Sequence, residues 1–399
     1  MKIGLLRNII SLEAKLVSFL LIALLLLDRN FSKLTIIGPI YAHDLVLFIA
    51  TIITIFKTSL KFRLPSIFLI IIISILYLIY SVFFGDTGKG GFLMIFRQFL
   101  LFFYLMCSYI IANKFFRNEN NIDKSVEFIK RIAFWSLFLQ LFYFMYLYVT
   151  VENYSPLKGY SYLSALGVMG IITYAAYILV FFQGLKKQLM FLLLIVVSTL
   201  LGHASSFFAV FVILLSHFYI SFKPKVRFIV IGIILLLGII VIQLPQFNDK
   251  NASWRILYWV EIFRQSIVDN YLVLGNGFGK PYVSLEFTDY LYENLNSHNM
   301  LEKYNPMARW ESPPHNSFLT IIFHVGLIPF LLLVWPLKTI FSQLFLKRKS
   351  EDKNKLFLFY TIIGLIVWSS FNVILELPHS AIFFWLIFFT YIFYDKIKI

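Results

Sequence analysis

Residues 64–84 read LPSIFLIIIISILYLIYSVFF, and none of them carries a charge. A helix needs about 20 residues to cross about 30 Å of hydrocarbon. The stretch has that length and holds nothing that lipid would penalise, so it predicts a membrane span. The same pattern recurs along the chain. Apolar runs at 12–27, 34–56, 64–84, 92–112, 132–151, 162–182, 188–201, 204–222, 227–244, 316–337, 356–375 and 379–394 give about twelve expected spans. The expected fold class is all-α, a polytopic integral membrane protein with one long outer loop. Its expected parts are 1–244 with spans one to nine, 245–314 as the loop, and 315–399 with the last three spans.

Composition supports this class. Hydrophobic residues are 60% of the chain and charged residues 14%, where soluble domains carry roughly 25% charge. A soluble core has no place for so much apolar surface, whereas a bilayer does. The lone cysteine, Cys107, lies in an apolar run, so no internal disulfide can form and the redox compartment is not readable. Met1–Asn8 is short and basic, and the run after it lacks a small-residue cleavage site, so a retained span is expected rather than a cleaved leader.

Charge sets the orientation. With the N-terminus inside, the inside segments hold 24 Lys and Arg and the short outside loops hold 4, namely Arg29, Lys33, Lys89 and Lys158. Cytoplasmic loops carry such an excess. The net charge of +15 is thus an orientation signal and calls for no nucleic acid. Both termini are expected inside and residues 245–314 outside.

Ionisable groups then gather at the outer depth. Arg97 lies near the outer end of its span, His203 in an outer hairpin, His315 at the mouth of the tenth span, and Glu376 and His379 in the last outer turn. Arg255, Arg264 and Arg309 belong to the loop itself. Charged groups at membrane depth are costly and tend to be functional. His43 and Asp44 sit deeper, as a buried structural pair or as part of the same cavity.

The loop has its own pattern. Ser253 is a good N-cap for a helix to about Val268, and Ile256, Trp259, Val260, Phe263 and Ile267 repeat at helical spacing. Such a helix would lie on the membrane surface. Arg255 falls in its expected first turn, where an anion shared with free N–H groups would offset the unfavourable dipole. Gly275-Asn276-Gly277-Phe278-Gly279 lacks the strand and βαβ unit of a nucleotide fingerprint and reads as a tight turn permitting close backbone approach. Pro306, Pro313 and Pro314 are expected to keep the rest of the loop non-helical up to His315, with Asn316 or Ser317 capping the next span. His298-Asn299 repeats the His-Asn pair but precedes no span.

In order, Trp254-Arg255 with Trp259, Leu274-Gly275-Asn276-Gly277-Phe278-Gly279, His315-Asn316-Ser317-Phe318-Leu319 and Gly326-Leu327-Ile328 resemble the shared core of the bacterial O-antigen polymerase and O-antigen ligase superfamily. The resemblance covers about residues 250–335. It implies a glycosyltransferase acting at the outer face of the bacterial inner (cytoplasmic) membrane on a glycan carried by undecaprenyl pyrophosphate, independent of metal and of any cofactor. The implied partners are that lipid-linked glycan, the lipid bilayer and a chain-length regulator protein.

By family position His315 is the implied catalytic base, and Arg255, Arg97 and Arg309 the implied donor pyrophosphate ligands. Gly275, Gly277 and Gly279 form the loop turn, with His203, Asn316 and Glu376 as accessory residues. The family also carries a Ser-Arg pair at the outer end of a middle span. Here that hairpin reads Gly202-His203-Ala204-Ser205-Ser206, without the Arg, and Arg97 or His203 is the candidate substitute. The Phe- and Ile-rich composition and the divergent hairpin favour a polymerase, which joins lipid-linked repeats, over a ligase, which transfers the glycan to lipid A-core. A glycan transporter would predict charges along a through-path and internal repeats; no repeat is found and the polar cluster lies on one side.

Overall fold

Lipid offers a backbone no water to bond, so a chain of this composition satisfies its amides and carbonyls within helices. The computed structural model describes residues 11–37, 40–57, 62–85, 91–150, 165–200, 204–221, 228, 229, 232, 236, 250–295, 305–345 and 351–397. Helices α1 (Leu12–Ser32), α2 (Ala42–Phe56), α3 (Pro65–Phe84), α4 (Gly91–Phe115), α5 (Glu119–Thr150), α6 (Ala165–Phe181), α7 (Gly184–Leu200) and α8 (Ala204–Ser221) come first. A polar lobe follows, with α9 (Lys250–Val268), α10 (Leu285–Leu295) and the one-turn α11 (Ala308–Glu311). Then come α12 (Ser317–Val325), α13 (Leu327–Val334), a 3₁₀ turn (Trp335–Leu337), α14 (Lys338–Phe345), α15 (Lys353–Ser369) and α16 (Pro378–Ile397).

Among the described residues, α3, α4, the stretch Leu327–Leu344 and α16 are long and apolar enough to cross a membrane. Ala42–Phe56, Ala165–Phe181 and Ser205–Ser221 are shorter apolar helices. Hydroxyls inside these helices bond back along their own turn. Thr51 donates to Leu47, Thr54 to Ala50, Thr173 to Met169, Thr361 to Phe357 and Thr390 to Leu386. This is how a hydroxyl is satisfied where no water is at hand. Helix α16 is buried on nearly all sides, against α4, α15 and α1, while α3 leaves Leu69, Leu76, Phe83 and Phe84 exposed. Gly364 of α15 lets Ile172 and Ile213 approach so closely that a Cβ would lie 2.5 Å from Ile213.

Several expected boundaries move. The second expected span, 34–56, opens with an antiparallel ribbon, β1 (Thr35–Ile37) and β2 (Ile40–Tyr41), and turns helical only at Ala42. Gly38-Pro39 in the sequence breaks a helix there. The fifth begins at Glu119 rather than 132, because Ile122, Val126, Ile129 and Ala133 form a buried stripe that extends it beyond its apolar run. The tenth is broken at Gly326, whose φ is 87°. The loop helix starts at Lys250, so Ser253 lies inside it and Arg255 falls in its second turn. The anion argument from a helix N-terminus at Arg255 is thereby lost. The prolines do not keep the rest of the loop non-helical either, since α10 and α11 form within it. The expected ninth span lies almost wholly outside the described residues, as do His203 and His298.

Candidate functional site

The loop folds because α9 has two apolar faces. Tyr258 and Ile262 turn inward and pack with Tyr271, Tyr282, Val283 and Leu291 against Leu319 and Phe323 of α12. Ile256, Val260, Phe263 and Ile267 stay exposed along the other side. The lobe is therefore seated on α12 by a small core of its own.

The glycine turn clasps this seat. Asn276 N–H donates to Phe323 O at 2.7 Å and Gly277 N–H to His324 O at 3.0 Å. Phe278 N–H donates to Ser81 Oγ at 2.9 Å and Gly279 N–H to Gln98 Oε1 at 2.7 Å. Gly275 has φ 82° and passes so near α12 that a Cβ would lie 2.5 Å from His324 O. Phe278 inserts edge-on between Phe99 and Phe102 of α4. His324, buried in α12, closes the clasp with Nδ1 2.8 Å from Gly277 O and Nε2 3.1 Å from the Tyr282 hydroxyl. With its amides so engaged, the turn is a packing device and holds no set of free donors for phosphate.

The implied arginines take distinct positions. Arg97 bonds Glu311 at 2.8 Å across an exposed edge. Arg309 donates through Nε to Val283 O at 2.8 Å and stacks on Trp310. Gln98 ties the two halves together by donating to Lys280 O and Trp310 O. Arg255 lies by His315, close enough for its charge to act on the imidazole.

His315 is held from three directions. Its N–H donates to Pro313 O at 2.7 Å, closing a tight turn over Pro314. From α9, the Tyr258 hydroxyl donates to Ser312 O at 2.7 Å and the Trp259 indole N–H to Pro314 O. Trp254 meets the imidazole edge-to-face at 5.2 Å. The price of this fixation is a backbone φ of 51° at His315, a left-handed conformation rare outside glycine and Asn. Burial, with the Arg255 charge, pushes the imidazole down to about 4, so it is neutral at physiological pH. Its Nδ1 is enclosed and has no hydrogen-bond partner among the described residues.

Asn316 caps α12, accepting from Phe318 N–H and Leu319 N–H at 3.1 Å each. Buried Ser317 accepts from the N–H groups of Ile374 and Leu375 and bonds Glu376 Oε2 at 2.5 Å. Burial raises the Glu376 carboxyl to about 6, against the hydrogen bonds from Ser317 and Thr320. Its Oε1 is enclosed without a hydrogen-bond partner among the described residues. Tyr282, whose phenol burial holds far above its usual range, feels both Glu376 and Arg97, so these groups share one neighbourhood. The deeper pair also forms, with His43 Nε2 3.1 Å from Asp44 Oδ1 and the Tyr104 hydroxyl donating to the same oxygen at 2.9 Å. It is a local network at the start of α2.

Sequence reasoning did not find Tyr258, Ser317 and Glu311 as working parts of this site. Glu311 is the sole acid between Asn305 and Asn316, a signal that could have marked it as the partner of Arg97. Ser317 and Tyr258 act through contacts distant in sequence, which leave no local trace. Comparison with protein-family models and with curated proteins gives no match. The site is therefore read from its own chemistry.

Proposed function

We propose that the chain is a glycan polymerase of the bacterial inner membrane, joining undecaprenyl-pyrophosphate-linked repeat units at the outer face. In this reading it crosses the bilayer about twelve times, with both termini inside and the 245–314 loop outside. What supports the reading is the placement of His315: neutral, fixed by Trp254, Tyr258 and Trp259, and under the field of Arg255.

The chemistry follows from these groups. The acceptor hydroxyl attacks C1 of the donor sugar, its proton passes to His315, and the C1–O bond to pyrophosphate breaks with the electron pair leaving on oxygen. Attack from the face opposite the leaving group inverts C1. Arg255 offers the departing pyrophosphate a permanent charge and a planar, bidentate fork. Burial is the larger cause of the His315 depression and the Arg255 charge the smaller; a bound anion would offset the Arg255 part, and the imidazole would regain that share of its basicity.

Reconstituted protein given lipid-linked repeats should produce a ladder of longer lipid-linked glycans. Arg255→Lys should insert normally and lose activity by roughly ten- to a hundredfold, since an ammonium cannot copy the fork. A normal ladder from Arg255→Ala at normal protein level would overturn the pyrophosphate role. Transfer to lipid A-core with no ladder would make the protein a ligase.

A further inference from the structure

Two of the helices long and apolar enough to cross a membrane, α4 and α16, form the floor of a cavity of about 300 Å³. Helices α1 and α5 flank it, and each packs on α16. The wall is apolar, with Val17 of α1, Leu47 of α2, Phe115 of α4, Phe128 of α5 and Ile382 and Leu386 of α16. The cavity lies at the end of α4 remote from the lobe. The lobe is held at Gln98 and Ala112 lines the cavity, so the two levels are about 21 Å apart along the helix axis.

Helix α5 brings charge to the mouth. Lys124, Glu127 and Arg131 line the cavity from one face of that helix, at spacings of three and four residues. The Arg131 side chain is 72% exposed, with Glu127 3.8 Å from its Nε and 3.7 Å from Lys130 Nζ. Lys124 is exposed too, and among the described residues it takes part in no ion pair. The mouth therefore carries two cations against one carboxylate that Lys130 shares, above an apolar floor. Water finds no partners on such a floor, and apolar cavities of this kind stay dry. Within a bilayer, hydrocarbon fills them. A free small anion would gain nothing from the floor, and a plain hydrocarbon nothing from the cations. A lipid with a negative headgroup uses both.

We propose that this cavity holds one acyl chain of an anionic glycerophospholipid, with the phosphate against Lys124 and Arg131, in the leaflet away from the lobe. Basic pockets between spans take anionic headgroups in the same way. The inference needs only that these helices span a membrane and stands apart from the polymerase reading.

Full-length protein, delipidated in detergent, would be titrated with phosphatidylglycerol and with phosphatidylcholine of the same chains, and bound lipid counted by native mass spectrometry. Phosphatidylglycerol should bind about tenfold more tightly, since each cation contributes about fivefold and Glu127 opposes part of it. Lys124→Gln combined with Arg131→Gln should abolish that preference. Both side chains are exposed, so the unfolding midpoint should stay where it is. Ala14→Phe, at a residue that lines the cavity, fills it and should weaken binding of both lipids. Equal affinity for the two lipids overturns the proposal, as does a preference that survives the double substitution or an Ala14→Phe protein that binds as before. Glycerol 1-phosphate in excess tests for a headgroup held without its chain. It should displace no lipid, and displacement would mark a bare surface anion site and overturn the acyl-chain assignment.

Discussion

The glycine turn at 275–279 and the His315 segment at 312–317 belong to one loop, and both are seated on α12, yet they treat their polar groups in opposite ways. In the turn, successive amides find acceptors inside the protein: Tyr271 O, Phe323 O, His324 O, Ser81 Oγ and Gln98 Oε1. Around His315, the side-chain atoms His315 Nδ1 and Glu376 Oε1 are enclosed and have no hydrogen-bond partner among the described residues. His315 also sits at φ 51°, whereas the turn meets its positive φ angles with glycine. A satisfied, glycine-built loop is a clasp. A segment that keeps orphaned groups and backbone strain forgoes stability for its fixation, which is what the proposed role of His315 would require.

The largest effect should separate the two by activity alone. His315→Ala is expected to lower turnover by on the order of 10²–10⁴ with donor binding retained, because Arg255 remains. His315→Gly should lose turnover equally while being more stable than His315→Ala by about 1 kcal/mol, from relief of the left-handed backbone. If His315→Gln proves fully active in a lipid-linked repeat assay, acid–base work is ruled out and only a positioning role remains.

The clasp should fail in the other currency, folding. A Cβ at Gly326 would lie 2.1 Å from Val273 O, at a φ of 87°. Gly326→Ala is expected to lose on the order of 3 kcal/mol of stability, through strain and a backbone collision that cannot relax cheaply. Thermal unfolding in detergent reads this directly. An unchanged midpoint would mean that the loop is not held to α12 as described.

Glu376 sharpens the contrast by pH. Its folded value of about 6 lies above the ordinary 4.5, so its contribution is present below the unfolded value and lost as pH rises through about 6. His315 runs oppositely: depressed from 6.5 to about 4, it favours the fold at higher pH and loses that contribution as pH falls through about 4. Between about 4.5 and 6 the two run against each other and nearly cancel, and because the His315 shift is the larger, their sum favours the fold most above about 6.5. Glu376→Gln should stabilise the protein at pH 8 by on the order of 2 kcal/mol and leave it unchanged near pH 4. Equal stability of the two proteins at pH 8 would show that the carboxyl is not strained by burial.

How far the sequence reached depends on the range of the interaction. The apolar periods that became α3, α4 and α16 are local, and so is the Asn316 cap. The ribbon before Ala42 and the break at Gly326 were less visible, because a hydropathy window averages over them and the Gly326 break receives a turn some fifty residues upstream. Arg255 was assigned its helical position from Ser253, but Asn248 and Asp249 just upstream are cap-type residues too. The hydroxyl of Ser317, which stitches 374–376 to α12, needs a contact across 57 residues that no spacing rule reveals.

The smallest effect concerns Arg97, which belongs to neither extreme. It is 56% exposed along its side chain and bonds a single carboxylate, Glu311, at 2.8 Å. An exposed pair of this kind contributes about 0–1 kcal/mol, so Arg97→Ala should barely move the unfolding midpoint. Its bearing on the donor is tested better from the other partner. Glu311→Gln removes the competing carboxylate and keeps the shape. If Arg97 holds pyrophosphate, Glu311→Gln should tighten lipid-linked donor binding by up to about tenfold and Arg97→Ala should weaken it by a similar factor. If Arg97 only fastens α4 to α11, both substitutions should shift stability slightly and leave donor affinity alone. Donor titrations of the two variants, side by side, assign Arg97 either to the clasp or to the chemistry.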